Sequence, residues 1–256
     1  MTEEEKFIES LYDEANEQLK DVYKEQKNSR DDILKEIAMI MLAYSVIDGF
    51  MKMNKNSKDK SYKKLSNLII NRYKSISKNE IKNINTILES TVKKTFDFYS
   101  YNADLKDVKK IIDNNFKGKH FSKRVWANEE AVAKRLHLQV KEFLNGNINV
   151  NQIKKDIEKT FNVSAYNAKR LVETEVNRCQ GEAFDRFCRE VGVKRVRYNA
   201  TLDSRLCNDC AQYHDKVYNF EEKIERPRHP FVVASMRLLN KFLIEAFQIT
   251  LFIRVV

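Results

Sequence analysis

Glycine and proline are scarce in this chain, with only 5 Gly and 2 Pro among 256 residues. All-β sandwiches and dinucleotide-binding folds use these residues at their many turns, so the scarcity favours long helices. The same counts exclude collagen-like and Pro/Gly-rich low-complexity chains. The 4 Cys are too few for a disulfide-stabilised scaffold of this length. The composition therefore predicts a mainly helical protein.

Long apolar runs are absent from the first part of the chain. The longest one there, residues 39–47, is much shorter than the ~20 residues that a helix needs to cross a bilayer. The N-terminal stretch 1–14 is acidic, whereas a signal peptide is basic and then apolar. We therefore expect a cytoplasmic protein with reduced cysteines and no membrane partner.

Positive charge is abundant, since 47 Lys and Arg against 37 Asp and Glu give a net charge of +10. Such an excess suits a partner of negative charge, such as nucleic acid, an acidic protein face or an anionic membrane. A lysine-coated surface that only keeps the protein dissolved explains it equally well. The apolar fraction of 42% is enough for one large or two small domains with a real core.

Apolar residues recur at helical spacing through most of the first 191 residues. A polar stretch, residues 54–60, interrupts the pattern, and Ser77 with Glu80 three residues later has the form of a capping box. The periodicity predicts helices over residues 3–27, 31–53, 61–75, 79–101, 104–116, 127–144, 150–161 and 164–191.

The pattern changes after Gly192. Apolar and basic residues alternate from Val193 to Tyr198, which is typical of a strand, and residues 216–218 supply a candidate partner strand. The fold class predicted is therefore mainly α: a helical body followed by a small α+β C-terminal module with a short β-hairpin around a CxxC motif.

That CxxC motif, Cys207 and Cys210, is the one constellation that points to site chemistry. Two cysteines at this spacing can bind one tetrahedral zinc ion, and His214 and His229 are candidates for the remaining ligands. A single CxxC is a weak signal, and a reduced turn pair without metal is an equal alternative. A thioredoxin-like role is less favoured because the βαβ setting is missing.

Enzyme signatures are missing from the sequence. It contains no glycine-rich phosphate loop and no HExxH motif, and its serines, cysteines and histidines suggest no catalytic triad. Cys179 and Cys188 lie within a predicted helix, where they are expected to face the core. We therefore expect a protein that is not an enzyme and has no small-molecule substrate.

Short motifs follow one another between Trp126 and Pro230, a stretch of about 105 residues that includes the CxxC. In their order and spacing they resemble the minor head (head-morphogenesis) proteins of tailed phages, which are related to the F protein of phage Mu. The residues that match that family's motifs are Trp126, Thr174, Glu175, Arg178, Asp203, Arg205, His229 and Pro230.

The resemblance implies a structural protein of a phage or prophage head that associates with the portal protein and other head proteins during assembly. It also implies a location in the host cytoplasm and then in the virion head, with a role in DNA packaging or exit. It divides the chain into a helical N-terminal region, 1–116, a head-morphogenesis domain, 117–230, and an apolar tail, 231–256. The alternative is a non-specific nucleic-acid-binding protein with a cysteine knuckle.

Two positions depart from the family pattern. Asp215 stands where a hairpin glycine is common, and Asp tolerates left-handed backbone better than most residues. After Pro230 the family has one residue and then Cys-Arg-Cys, whereas this chain has Phe-Val-Val-Ala at 231–234. Loss of one T from the codons TTT TGT CGT TGC produces that change. We therefore hypothesise that the tail is read out of frame, and we expect zinc only where the second cysteine pair is restored.

Overall fold

The computed structural model describes residues 2–200, 208–227 and 234–239. Helices dominate this part of the chain, and a small sheet follows near its C-terminal end. The predicted class, mainly α with a small α+β module, is confirmed. No helix within the described ranges combines the length and the apolar character required to span a membrane.

Three of the helices of the described residues are longer than the sequence periodicity predicted, because the breaks expected near residues 29, 77 and 162 are absent. The helix predicted over 31–53 is wrong beyond Ala43, where a β-hairpin follows, and the break predicted at 54–60 is wrong because a helix starts at Lys55. The helix predicted over 104–116 ends at Asp113. The helices are α1 (Glu3–Ala43), α2 (Lys55–Phe98), α3 (Leu105–Asp113), α4 (Phe121–Asn145), α5 (Val150–Glu190) and α6 (Asn208–Ala211).

Side-chain caps fix several helix starts. Thr2 and Glu5 form a reciprocal capping box at the start of α1, with Thr2 N donating to Glu5 Oε2 at 2.7 Å and Glu5 N donating to Thr2 Oγ1 at 3.2 Å. Asp104 caps α3, since its Oδ1 accepts from Asp107 N at 2.8 Å. The capping box predicted at Ser77 and Glu80 is wrong, because both residues are buried inside α2.

Two compact units make up the fold, and each is discontinuous in sequence. Unit 1 comprises residues 1–17, 84–120 and 170–256, and unit 2 comprises residues 18–83 and 121–169. The division follows the packing of segments that are distant in sequence. The boundaries after residues 116 and 230, which follow the family motifs, stay a prediction.

Unit 2 is built from helices and one β-hairpin. Strands β1 (Ser45–Ile47) and β2 (Phe50–Lys52) pair antiparallel around a two-residue turn of Asp48 and Gly49, both with positive φ. Gly146, just past the end of α4, lies against this hairpin: a β-carbon there would be 2.7 Å from the carbonyl oxygen of Met51. The core of the unit is aliphatic and aromatic, with Leu65, Val140 and Phe143 among its fully buried members.

Unit 1 contains a three-stranded antiparallel sheet in the order β4-β3-β5. The predicted strand after Gly192 is β3 (Arg195–Ala200), and its predicted partner is β4 (Val217–Asn219). Asp215, before β4, has a φ of 66°, so it occupies the left-handed conformation expected for it.

The third strand, β5 (Ala234–Leu238), lies in the segment that the sequence had suggested to be an out-of-frame tail. It pairs with β3 so that Met236 stands opposite Tyr198, and both side chains are fully buried. Ala234 and Met236 are therefore part of the core of unit 1. The hypothesis of a shifted frame concerns the gene and stays a prediction.

Candidate functional site

The motif residues Thr174, Glu175 and Arg178 lie in the most enclosed part of α5. Every position from 171 to 180 is buried, including charged ones. A helix exposed to solvent on one side keeps a polar face, whereas this stretch is shielded from solvent on all sides. Its polar side chains must therefore find partners inside the protein.

Arg178 is the centre of the resulting network. Its Nε donates to Glu175 Oε2 at 2.7 Å, and its Nη1 donates to Glu182 Oε1 at 2.8 Å. The guanidinium also donates to two backbone carbonyls, Ile111 O at 2.7 Å and Ile112 O at 3.3 Å. These carbonyls belong to the last turn of α3, where the helix dipole favours a cation. Arg178 thus joins α5 to the end of α3.

The guanidinium of Arg178 remains protonated in the fold. Burial by itself would lower the pKa of the guanidinium, but the neighbouring carboxylates of Glu175 and Glu182 hold that pKa above its ordinary value. Glu175 and Arg178 are 1% and 2% exposed, so their ion pair is screened from water. Removing one partner would leave a buried charge without compensation.

The other described motif residues have local contacts. Thr174 Oγ1 donates to Arg170 O one turn earlier at 2.7 Å, a contact within the helix itself. Trp126 is on α4 in unit 2, half-buried, with its ring edge toward Tyr73 at a centroid distance of 5.6 Å. The structure therefore brings Thr174, Glu175 and Arg178 together on one helix and places Trp126 in the other unit.

A second buried arginine, Arg226, was not among the predicted site residues. Its side chain is 3% exposed and its Nη1 donates to Gln180 Oε1 at 3.4 Å. It packs so closely on α5 that a β-carbon at Gly181 would be 3.3 Å from its Nη2. Asp185 lies 3.9 Å from the same Nη2 and also pairs with Lys223 at 2.9 Å. The glycine within α5 was the sequence signal for this contact.

The cysteine module is described only in part. Cys210 is fully buried in α6, and His214 Nδ1 accepts a hydrogen bond from Ala200 N at 3.2 Å. That bond occupies one of the two imidazole nitrogens, so a metal would have to bind the other. Of the predicted ligands and motif residues, Cys207, His229, Asp203, Arg205 and Pro230 lie outside the described residues.

The described residues provide no support for the predicted metal site. Among residues 2–200, 208–227 and 234–239, no group of three or more His, Cys, Asp and Glu side chains is arranged to bind a metal ion. Cys179 and Cys188 are core residues, as expected, and burial raises the pKa of both thiols, which keeps them protonated. The zinc site at Cys207, Cys210, His214 and His229 stays a prediction.

Two buried glutamates in unit 2 were also missed by the sequence analysis. Glu80 on α2 and Glu129 on α4 are each 2% exposed. Ser164 Oγ donates to Glu129 Oε1 at 2.7 Å and accepts from Gln26 Nε2 at 2.9 Å. Burial, with a smaller effect from the charge of Glu129, raises the pKa of Glu80 to about 8. Glu80 is therefore mainly protonated at neutral pH.

The net charge is distributed unequally between the units. Unit 2 contains 24 Lys and Arg against 13 Asp and Glu, an excess of 11 positive charges. Unit 1 contains 23 Lys and Arg against 24 Asp and Glu, a net charge of −1. The whole basic excess of the chain thus belongs to unit 2, whereas the cysteine module and Arg178 belong to the nearly neutral unit 1.

Comparisons with protein-family models, with curated proteins and with solved structures found no match for this chain.

Proposed function

We propose that this protein is a structural minor head protein of a tailed phage or prophage, which associates with the portal protein during procapsid assembly and takes part in DNA packaging or exit. The observation that carries the proposal is the ordered series of motifs from Trp126 to Pro230, which resembles that family. Each motif alone is loose, and their common order and spacing support the proposal.

The environment of Arg178 is in keeping with a structural role. Its Nε and both Nη atoms are used in contacts within unit 1, to two carboxylates and to the end of α3. An arginine whose donors are all engaged inside the fold is a positioning residue and has no donor left for a substrate. The motif residue Arg178 therefore has a structural role within unit 1.

Co-expression with the portal protein of the same phage or prophage tests the proposal. We expect the two proteins to co-elute in size-exclusion chromatography after nuclease treatment, at low and at moderate salt. The nuclease step removes DNA that would bridge two basic proteins, and the moderate salt screens contacts made by charge alone. Failure to co-elute under both salt conditions would reject portal association.

A second candidate function, non-specific nucleic-acid binding, is favoured by one specific observation. The excess of 11 positive charges lies entirely in unit 2. Unit 1, which holds Cys210 and His214, has no positive excess. We therefore propose that nucleic acid contacts unit 2 and not the cysteine segment. Duplex binding that weakens steeply with added salt is the expected result.

Zinc content is measured separately on the purified chain after dialysis against a chelator. Because the sequence after Pro230 lacks the second cysteine pair, we expect less than one zinc ion per chain. The Cys207→Ser, Cys210→Ser double variant is the control for binding elsewhere. Stoichiometric zinc that resists chelation and is lost in that variant would overturn this expectation.

A further inference from the structure

One outward face of α2 combines positive charge with side-chain amides. Six residues recur at spacings of three and four, which places them on one side of the helix, and all six are exposed. At 1.5 Å per residue the face extends along roughly 27 Å of helix. The α2 basic stripe consists of Lys60, Lys63, Asn67, Asn71, Lys74 and Lys78.

The lysines of the stripe differ from their neighbours in having no counter-charge. Lys64 and Arg72, on the flank of the same helix, pair with Glu36 and Asp32 of α1 at 2.7 and 2.5 Å. None of the four stripe lysines forms an ion pair with any residue that the structure describes. The flanking cations are therefore neutralised within unit 2, and the stripe is not.

Acidic residues are almost absent from this part of α2. Between Lys55 and Lys82 the helix contains Asp59, which precedes the stripe, and Glu80, which is buried. Lys74 and Lys78 are spaced i,i+4, an arrangement of like charges that slightly destabilises a helix. The outer face of α4 is different, because Lys134 there pairs with Glu130 at 2.7 Å. A row of unpaired lysines, in a unit whose net charge is +11, is therefore complementary to an extended anion.

We propose that the α2 basic stripe binds the phosphate backbone of double-stranded nucleic acid without sequence preference. This inference rests on the nucleic-acid contact proposed above for unit 2. A duplex carries a negative charge about every 1.7 Å of its axis, so several phosphates lie within reach of the four lysines. The amides of Asn67 and Asn71 add uncharged donors to phosphate oxygens between the two lysine pairs.

The residues around the stripe favour a duplex over a single strand or a membrane. Single-strand binding uses exposed aromatic rings on which bases stack. The two tyrosines of this part of α2, Tyr62 and Tyr73, lie instead beside His137 and Trp126 of α4. Insertion into a membrane surface needs a broad apolar face beside the charges, and Ile70, 38% exposed, is a single side chain.

Binding of the full chain to a short random-sequence duplex DNA tests the inference. The stripe variant replaces four lysines with glutamine: Lys60→Gln, Lys63→Gln, Lys74→Gln and Lys78→Gln. We expect binding that is at least about tenfold weaker at low salt. The slope of log affinity against log salt concentration should also become shallower by about one for each lysine that contacts a phosphate. All four positions are exposed, so circular dichroism and thermal midpoint should match the wild type.

The matched control removes the same charge from other exposed positions of unit 2: Lys141→Gln, Lys154→Gln, Lys155→Gln and Lys159→Gln. We expect this variant to lose less affinity and less salt slope than the stripe variant. Equal losses would show that diffuse charge binds DNA, which overturns the stripe while nucleic-acid binding stands. A wild type that does not bind the duplex rejects both proposals.

Two further probes decide between classes of partner. Single-stranded DNA of the same length should bind no more tightly than the duplex, and vesicles of anionic phospholipid should bind more weakly than the duplex at the same salt concentration. Tighter single-strand binding, or stripe-dependent vesicle binding without duplex binding, would overturn the inference.

Discussion

The guanidinium of Arg178 donates to the carbonyl oxygen of Ile111 at 2.7 Å, and so joins the middle of α5 to the last turn of α3. The same guanidinium neutralises Glu175, which has 1% of its side chain exposed. An electrostatic contact of this kind is strong only while both partners remain, because a buried charge left alone has lost its water without compensation.

Replacing Arg178 with methionine should therefore destabilise unit 1 by about 3–5 kcal/mol. Adding Glu175→Gln should recover part of this loss, since it removes the orphaned carboxylate. The free energy of unfolding by urea measures both effects. Arg186→Gln is the control on the same helix: Arg186 is 46% exposed and 3.6 Å from Asp107, so its loss should cost less than about 1 kcal/mol. Equal costs for the two arginines would contradict the network.

The buried carboxyl of Glu80 predicts a pH dependence of stability. Its pKa is about 8 in the fold against a reference value of 4.5, so the folded chain holds a proton that the unfolded chain releases. Stability should therefore fall as the pH rises from about 4.5 to about 8. Glu80→Gln mimics the protonated side chain and should remove the part of this decline that Glu80 causes, a difference of up to about 5 kcal/mol at the alkaline end.

Thermal midpoints across that pH range, for the wild type and Glu80→Gln, are the measurement. Glu130→Gln serves as control, because Glu130 is exposed on α4 and its loss should leave the pH profile parallel to the wild type. If the profile of Glu80→Gln is also parallel to the wild type, Glu80 does not hold its proton in the fold.

Gly146 has no room for a side chain. Gly146→Ala should destabilise unit 2 for two reasons: its φ of 76° is unfavourable for alanine, and the new β-carbon would meet Met51 O at 2.7 Å. Gly49→Ala in the same unit is the matched control, since Gly49 has a φ of 81° but only an ordinary contact at 3.6 Å. We expect about 1–2 kcal/mol for Gly49→Ala and a larger loss for Gly146→Ala. A loss at Gly146 no larger than at Gly49 would contradict the close approach to Met51.

Met236 tests whether β5 belongs to the core of unit 1. Its side chain is fully buried opposite Tyr198, so Met236→Ala should cost about 2–5 kcal/mol. Leu239→Ala, one residue past the strand and 36% exposed, should cost much less. Hydrogen exchange of the β3 amides provides an independent readout, because loss of β5 uncovers one edge of β3. A negligible effect of Met236→Ala would mean that the segment is dispensable.

Helix type could be predicted from the sequence, but helix length could not. The periodicity predicts breaks at residues 28–30, 76–78 and 162–163, the second of them at the candidate capping box of Ser77 and Glu80. At each place the helix continues, since no glycine or proline is near to end it and the apolar periodicity resumes. Spacing alone cannot distinguish the true capping box at Thr2 and Glu5 from the pair Ser77 and Glu80. Ser77 and Glu80 are buried by the packing of unit 2, and their spacing in the sequence does not reveal that burial.

The candidate site could be predicted only in part from the sequence. Sequence patterns singled out Glu175 and Arg178, which are neighbours on one helix. They did not predict the link to Ile111, because a backbone carbonyl carries no sequence signal and lies on another helix. Buried ionisable residues such as Glu80 and Arg226 look like ordinary polar positions in the sequence. Their role depends on packing between segments that are distant along the chain.

The interleaving of the two units sets an order for their completion during synthesis. All segments of unit 2 have been made once the ribosome reaches residue 169, whereas unit 1 still lacks its whole part of α5, residues 170–190, and its entire sheet. Unit 1 also contains a contact between its first and last segments, since Arg237 of β5 pairs with Glu5 of α1 at 3.1 Å. The basic unit therefore has the first opportunity to fold, and the nascent chain presents its lysines before unit 1 is complete.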